Sequence, residues 1–208
     1  MTPAALILLI FGALTLWVTF TIRYIRRPTQ GPAIAPRPGS ALLLVDLQGV
    51  FWNDAHYDAQ TRARVEAAVL REVALARQKD QPVIVLRHEW STLSTRLLAR
   101  LTMNGEAIRG TAGTGLAPPF SEVADQLVIK RVQDGFETGE LDVVLRVLRI
   151  GTLKIAGLDG EHCVAKTAQA ALNRGYDVAL IRDGIASIHP DRFAAATEAL
   201  SGQGARLI

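Results

Sequence analysis

The sequence predicts an α/β fold: a doubly wound, mostly parallel sheet of about six strands with helices on both faces, preceded by an N-terminal transmembrane helix. Three observations carry this prediction. Short apolar runs of strand length recur through residues 41–208, stretches with apolar residues at helical spacing separate them, and no ionisable side chain interrupts residues 2–22. Parallel strands buried on both faces read as continuous apolar runs, and helices between them supply the crossovers that parallel pairing needs.

Taken in order, residues 2–22 are long enough as a helix to cross a hydrocarbon core of about 30 Å. The rival reading is a cleaved signal peptide, which wants positive charge before a shorter apolar core. Here Arg23, Arg26 and Arg27 come after it. That order keeps the following chain on the cytoplasmic side by the positive-inside rule. The chain then divides into an anchor with its basic flank (1–27), a proline-rich linker (28–40) and a catalytic domain (41–208). The linker, PTQGPAIAPRPG over 28–39, has four prolines and no apolar periodicity, so it is expected to be extended and to separate anchor from domain.

Within the domain, ALLLVDLQ (41–48), PVIVLRH (82–88), QLVIKR (126–131), TLKIAG (152–157) and DVALIRD (177–183) read as strands, and the terminal ARLI as a sixth. Val65, Val69, Val73 and Ala76 mark one helix, and Leu141, Val144, Leu145 and Leu148 another. Gly151 and Gly175 follow helical patterns and are expected to end them at positive φ. Leu93, Leu97, Leu98 and Leu101 suggest a further helix, followed by a loop whose glycines lack a phosphate-binding pattern.

Charge excludes one class of partner. The net charge is +3, from 23 basic and 20 acidic residues; without Arg23, Arg26, Arg27 and Arg37 the remainder is 19 basic against 20 acidic. The excess therefore belongs beside the anchor, where it suits anionic headgroups, and no nucleic-acid partner is implied. The single cysteine, Cys163, forms no intrachain disulfide and fits a reducing compartment.

Asp46, Lys130 and Cys163 each stand where an apolar run gives way to a turn. Ligands of such sheets bind beyond the carboxyl ends of the strands. An acid, a cation and a thiol gathered there make a nucleophile with its own base. Each has a plainer reading alone: a turn acid, a solvated strand end, a small buried hydrophobe. Phe51, Trp52, Trp90 and Phe136 follow strand ends and either wall a substrate or belong to core and lid.

VDLQGVF, VIKRVQDGFETGELDVVLR and IAGLDGEHCVAKTAQAALNRGYDVALIRDGIAS, in this order, resemble the isochorismatase-like cysteine hydrolases over nearly all of residues 41–208. The resemblance implies hydrolysis of a small amide or related C–N bond, with Cys163 as nucleophile at a helix start and Asp46 as general base. Lys130 would hold Asp46 ionised by lowering its pKa. It also implies a cis peptide between Leu158 and Asp159, with the N–H groups of Asp159 and Cys163 as oxyanion donors. No cofactor and no metal are expected, because nicotinamidases bind a metal through an Asp and two His and only His88 stands near that place. Asp159 and Glu161 depart from the small or hydroxyl residues usual before the cysteine, and two acids there would oppose ionisation of the thiol. His162 is expected to point away from it. Relatives commonly assemble, which raises a homo-oligomer as a hypothesis. The alternative is an inactive binding or assembly module at the membrane; a redox role is disfavoured by the lack of a resolving cysteine.

Overall fold

The computed structural model describes residues 2–208. Helix α1 (Pro3–Arg26) starts with a Thr2 side chain accepting from the Ala5 N–H, and its proline occupies the first turn, where no donor is lost. Then follow β1 (Gly39–Val45), α2 (Ala59–Gln78), β2 (Val83–His88), α3 (Leu93–Thr102), β3 (Gln126–Lys130), α4 (Glu140–Val147), β4 (Ile150–Gly157), α5 (Ala165–Asn173), β5 (Asp177–Ile185), α6 (Pro190–Ser201) and β6 (Arg206–Leu207). The strands form one parallel sheet in the order β3-β2-β1-β4-β5-β6.

Strand alternation builds two cores. Ala41, Leu43 and Val45 of β1, with Ile84 and Leu86 of β2, pack against Leu141 and Leu145 of α4, the alanines of α5 and Leu200 of α6. Leu42, Leu44, Val83 and Val85 face the other way, against Val65, Val69, Val73 and Ala76 of α2. The period of 2 in each strand splits one apolar run between two faces, which is why the runs read as continuous. Because the chain winds outward from β1 to β3 and then restarts at β4 on β1's other side, the switch point lies between the ends of β1 and β4.

Two expectations about the connections are corrected. The linker is extended but does not hold the anchor away from the domain. The Thr29 N–H donates to Asp134 Oδ2 (2.7 Å), the Ile34 N–H to the Arg174 carbonyl (2.8 Å) and Gln133 N–H to the Ile25 carbonyl (3.2 Å), so linker and helix end lie on the domain. Arg174 reaches the Thr29 carbonyl while pairing with Asp142 at 2.8 Å and covering the Phe136 ring at 4.4 Å. The second concerns Gly151, which lies inside β4 and terminates no helix. Arg149 takes the left-handed conformation instead (φ 54°), and an added Cβ on Gly151 would overlap the Arg37 carbonyl. That glycine admits the linker backbone. Gly175 does end α5 at φ 82°.

Candidate active site

Asp46 follows the last residue of β1 in a left-handed conformation, φ 52°, which short acids tolerate better than most side chains. The turn is locked by Gln48, fully buried, whose amide donates to the carbonyls of His88 (3.0 Å) and Thr114 (2.8 Å) and accepts from the His88 N–H (2.6 Å). On the neighbouring strand end, Gly157 (φ 122°) sits so close to β1 that a Cβ would overlap the Val45 carbonyl. That same carbonyl accepts from the Leu158 N–H at 2.8 Å. This contact draws the turn carrying Cys163 over the end of β1. The turn itself, Gly160–Val164, is a single π-helical turn that runs into α5. Such turns cluster at functional sites.

Lys130 closes the group from β3, where it pairs in register with His88 of β2. Its ammonium lies 2.9 Å from Asp46 Oδ2, 3.2 Å from Cys163 Sγ, 2.9 Å from His88 Nδ1 and 3.0 Å from the Val132 carbonyl. The last three are hydrogen-bond partners of the ammonium, whereas its contact with Asp46 is an ion pair, and the Asp46 oxygens have no hydrogen-bond partner among the described residues. Since an ammonium only donates, His88 Nδ1 accepts and Nε2 carries the ring proton. One atom each of Asp46, His88 and Cys163 lie within 4.8 Å of one another. Sequence order had separated them by up to 117 positions.

Burial dominates the ionisation. Desolvation raises the Asp46 pKa despite the opposing pull of Lys130, and it raises that of Cys163, with Asp46 adding to the rise and Lys130 opposing it. Desolvation also works against the charged Lys130, but Asp46 and Cys163 outweigh it and the net direction is up. His88 is pushed well below its ordinary value by desolvation and then by Lys130, so it is neutral. Lys130 thus acts on Asp46 in the expected sense, but the expected net lowering is corrected: a carboxyl this deeply buried loses more in hydration than one ammonium returns.

The cavity at the group holds about 300 Å³ and is walled by Phe51, Tyr57, Trp90, Leu98, Leu158 and, from α1, Ile22 and Ile25. Phe51 and Trp90 are thus at the site. Trp52 and Phe136 are not: Trp52 packs edge-on against Phe120 at 5.0 Å, and Phe136 is buried in the core under Arg174. His162, expected to turn away, lines the cavity with Cys163, because a π turn advances each residue by less than an α-helix does. No peptide bond among the described residues is cis, so Leu158–Asp159 is trans, which avoids the roughly 3 kcal/mol that a non-proline cis bond costs.

Asp159 has a different task from the one its charge suggests. Its carboxylate accepts from Tyr57 Oη (3.0 Å), Ser187 Oγ (3.2 Å) and the N–H groups of Ile188 (2.7 Å) and Glu161 (3.1 Å). It ties the Cys163 turn to the loops before α2 and α6. Neither Tyr57 nor Ser187 carried a signal in the sequence; both act through a residue distant in the chain. Besides the two Asp46 oxygens, three polar atoms of cavity-lining residues are buried without a partner among the described residues: His88 Nε2, Trp90 Nε1 and Gln133 Oε1. Two are donors and one an acceptor, the complement of an amide group.

The family model described as the isochorismatase domain matches residues 40–208, and the chain belongs to that family. An uncharacterised isochorismatase family protein, YrdC, of Bacillus subtilis (strain 168) is 28% identical over 147 residues, 71% of this chain and 73% of its own. Among solved structures, the pyrazinamidase of Pyrococcus horikoshii in complex with zinc superposes with a TM-score of 0.69 at 24% identity, over 82% of this chain and 99% of its own. The N-carbamoylsarcosine amidase of Thermoplasma acidophilum gives 0.68 at 23%, over 82% and 95%. The likeness at these identities is one of fold. As for a metal ion, the residues here do not suit one. A buried ammonium sits among Asp46, His88 and Cys163, and the Asp159 oxygens of a second acidic group are already taken by four donors.

Proposed function

We propose that this member of the isochorismatase family is a membrane-tethered cysteine hydrolase that cleaves a small amide or related C–N bond through a thioester. The observation that carries the reading is the convergence of Asp46, Lys130 and Cys163 on one cavity, with the ammonium 2.9 Å from the acid and 3.2 Å from the sulfur. Asp46 takes the thiol proton as Cys163 Sγ attacks the carbonyl carbon. The carbonyl π pair moves to oxygen, and in this reading the N–H groups of Asp159 and Cys163 would donate to the developing charge, with Lys130 beside the sulfur. The C–N bond then breaks as Asp46 returns the proton to the departing nitrogen, leaving a thioester and free amine. Asp46 next takes a proton from water, whose oxygen attacks the thioester and releases the acid and the Cys163 thiol.

The names of the two solved amidases above support the C–N bond as the target. The tether is the apolar helix α1, with the domain on the cytoplasmic side as Arg23, Arg26 and Arg27 direct. The test uses the full chain in detergent with a panel of small primary amides and N-carbamoyl amines, read as ammonia release. Turnover that disappears in Cys163→Ala and in Asp46→Asn is expected. Turnover that survives Cys163→Ala, or a Cys163 inert to iodoacetamide at neutral pH, overturns the reading.

A further inference from the structure

The last turns of α1 are part of the active-site wall. Ile22, Ile25 and Arg26 line the cavity that holds Cys163, Thr21 and Ile25 are buried on the domain, and residues 6–16 are exposed apolar surface. From Pro3 to Ile22 is a helix length of about 30 Å at 1.5 Å per residue, the thickness of a bilayer's hydrocarbon core. If α1 spans, the cavity begins where the hydrocarbon ends.

Helix α3 adds Thr95, Leu98, Ala99 and Thr102 to the lining, with Met103 just past its end, and it touches α1. Its outer face carries Leu93, Leu97 and Leu101, spaced four apart and 85%, 44% and 71% exposed. A soluble surface rarely shows such a stripe. Arg96 and Arg100 flank it, Arg23 and Arg26 stand on α1 with Arg27 just past its end, all are exposed, and neither helix contains an acidic residue. An apolar stripe edged by arginines beside a membrane span is the make-up of a helix lying in an anionic headgroup layer.

We propose that α3 rests in the interface of an anionic bilayer and that the substrate is an amide carrying a hydrocarbon chain, which enters the cavity from the leaflet between α1 and α3. This rests on the hydrolase and tether proposed above. The chain would lie along Ile22, Ile25, Leu98 and Met103, with the amide at Cys163, so these apolar side chains would set specificity.

The full chain is reconstituted in vesicles of equal parts phosphatidylcholine and phosphatidylglycerol. Ammonia release is measured from acetamide, hexanamide and decanamide, and Cys163 labelling by iodoacetamide against N-decyl iodoacetamide. Both kcat/KM and labelling rate should rise with chain length, by up to about fourfold per buried methylene. Leu98→Trp, which narrows the cavity, and the triple change Leu93→Glu, Leu97→Glu, Leu101→Glu, on exposed positions that do not threaten folding, should both lower the long-to-short ratio. Acetamide turned over as well as decanamide, with equal labelling by both reagents, would overturn the inference and leave the hydrolase standing. Faster labelling by the decyl reagent with no amide cleaved would retire the hydrolase and keep the hydrocarbon site.

Discussion

Lys130→Met removes one charge from the centre of the site while keeping a long unbranched side chain in a fully buried position. At 2.9 Å from Asp46, and with an effective dielectric constant of about 20, the lost attraction is about 6 kcal/mol. Part is recovered because Asp46 becomes neutral by binding a proton. Lys130 opposes the rise in pKa of both Asp46 and Cys163, so its removal moves both further up and disables the proposed base and nucleophile together. We expect kcat/KM at neutral pH to fall by about 1,000-fold or more, equivalent to about 4 kcal/mol of transition-state stabilisation. The pH profile of iodoacetamide labelling at Cys163, followed by mass spectrometry, should shift to higher pH. Lys130→Arg restores charge but not the point geometry, and should recover only part of the loss. An activity within tenfold of the parent, or a labelling profile that stays in place in a variant with normal near-ultraviolet circular dichroism, would refute the electrostatic account.

Gly157→Ala forces a Cβ into the Val45 carbonyl and a side chain into φ 122°, so the end of β4 must move away from β1. Activity should drop by at least about 100-fold, as a displacement of about 1 Å costs, and a normal rate would show that the close approach is dispensable. Asp159→Ala strands four donors; chemical denaturation in detergent should show a loss of about 3 kcal/mol, and Asp159→Asn a smaller one. His88 is held neutral in the folded chain with its pKa below the usual histidine value, so its contribution is present above about pH 6.5 and lost as pH falls, when the unfolded chain binds the proton and the folded one does not. Unfolding free energy should therefore fall with decreasing pH below about 6.5 by up to about 1.4 kcal/mol per unit more steeply in the parent than in His88→Asn. Equal slopes would place the histidine's ionisation elsewhere.

The order of apolar runs and helical spacings determined the parallel sheet, because each signal is local: two-faced burial writes itself as a continuous run and an amphipathic helix as a period. The same local punctuation put Asp46 and Lys130 at strand ends and Cys163 in the turn past a third, where winding brings them to one rim. Tertiary structure decided what depends on distance and exclusion of water. It chose Phe51 and Trp90 over Trp52 and Phe136, since any of these aromatics satisfies the same pattern. Net ionisation was decided there too, because desolvation is a property of everything packed around a group and of nothing beside it in sequence. The docking of the proline-rich linker on Asp134 and Arg174 spans more than a hundred residues and leaves no periodicity to read. For the same reason no sequence pattern announced that the apolar N-terminal helix, legible at once as a long apolar run, would end as a wall of the cavity around Cys163.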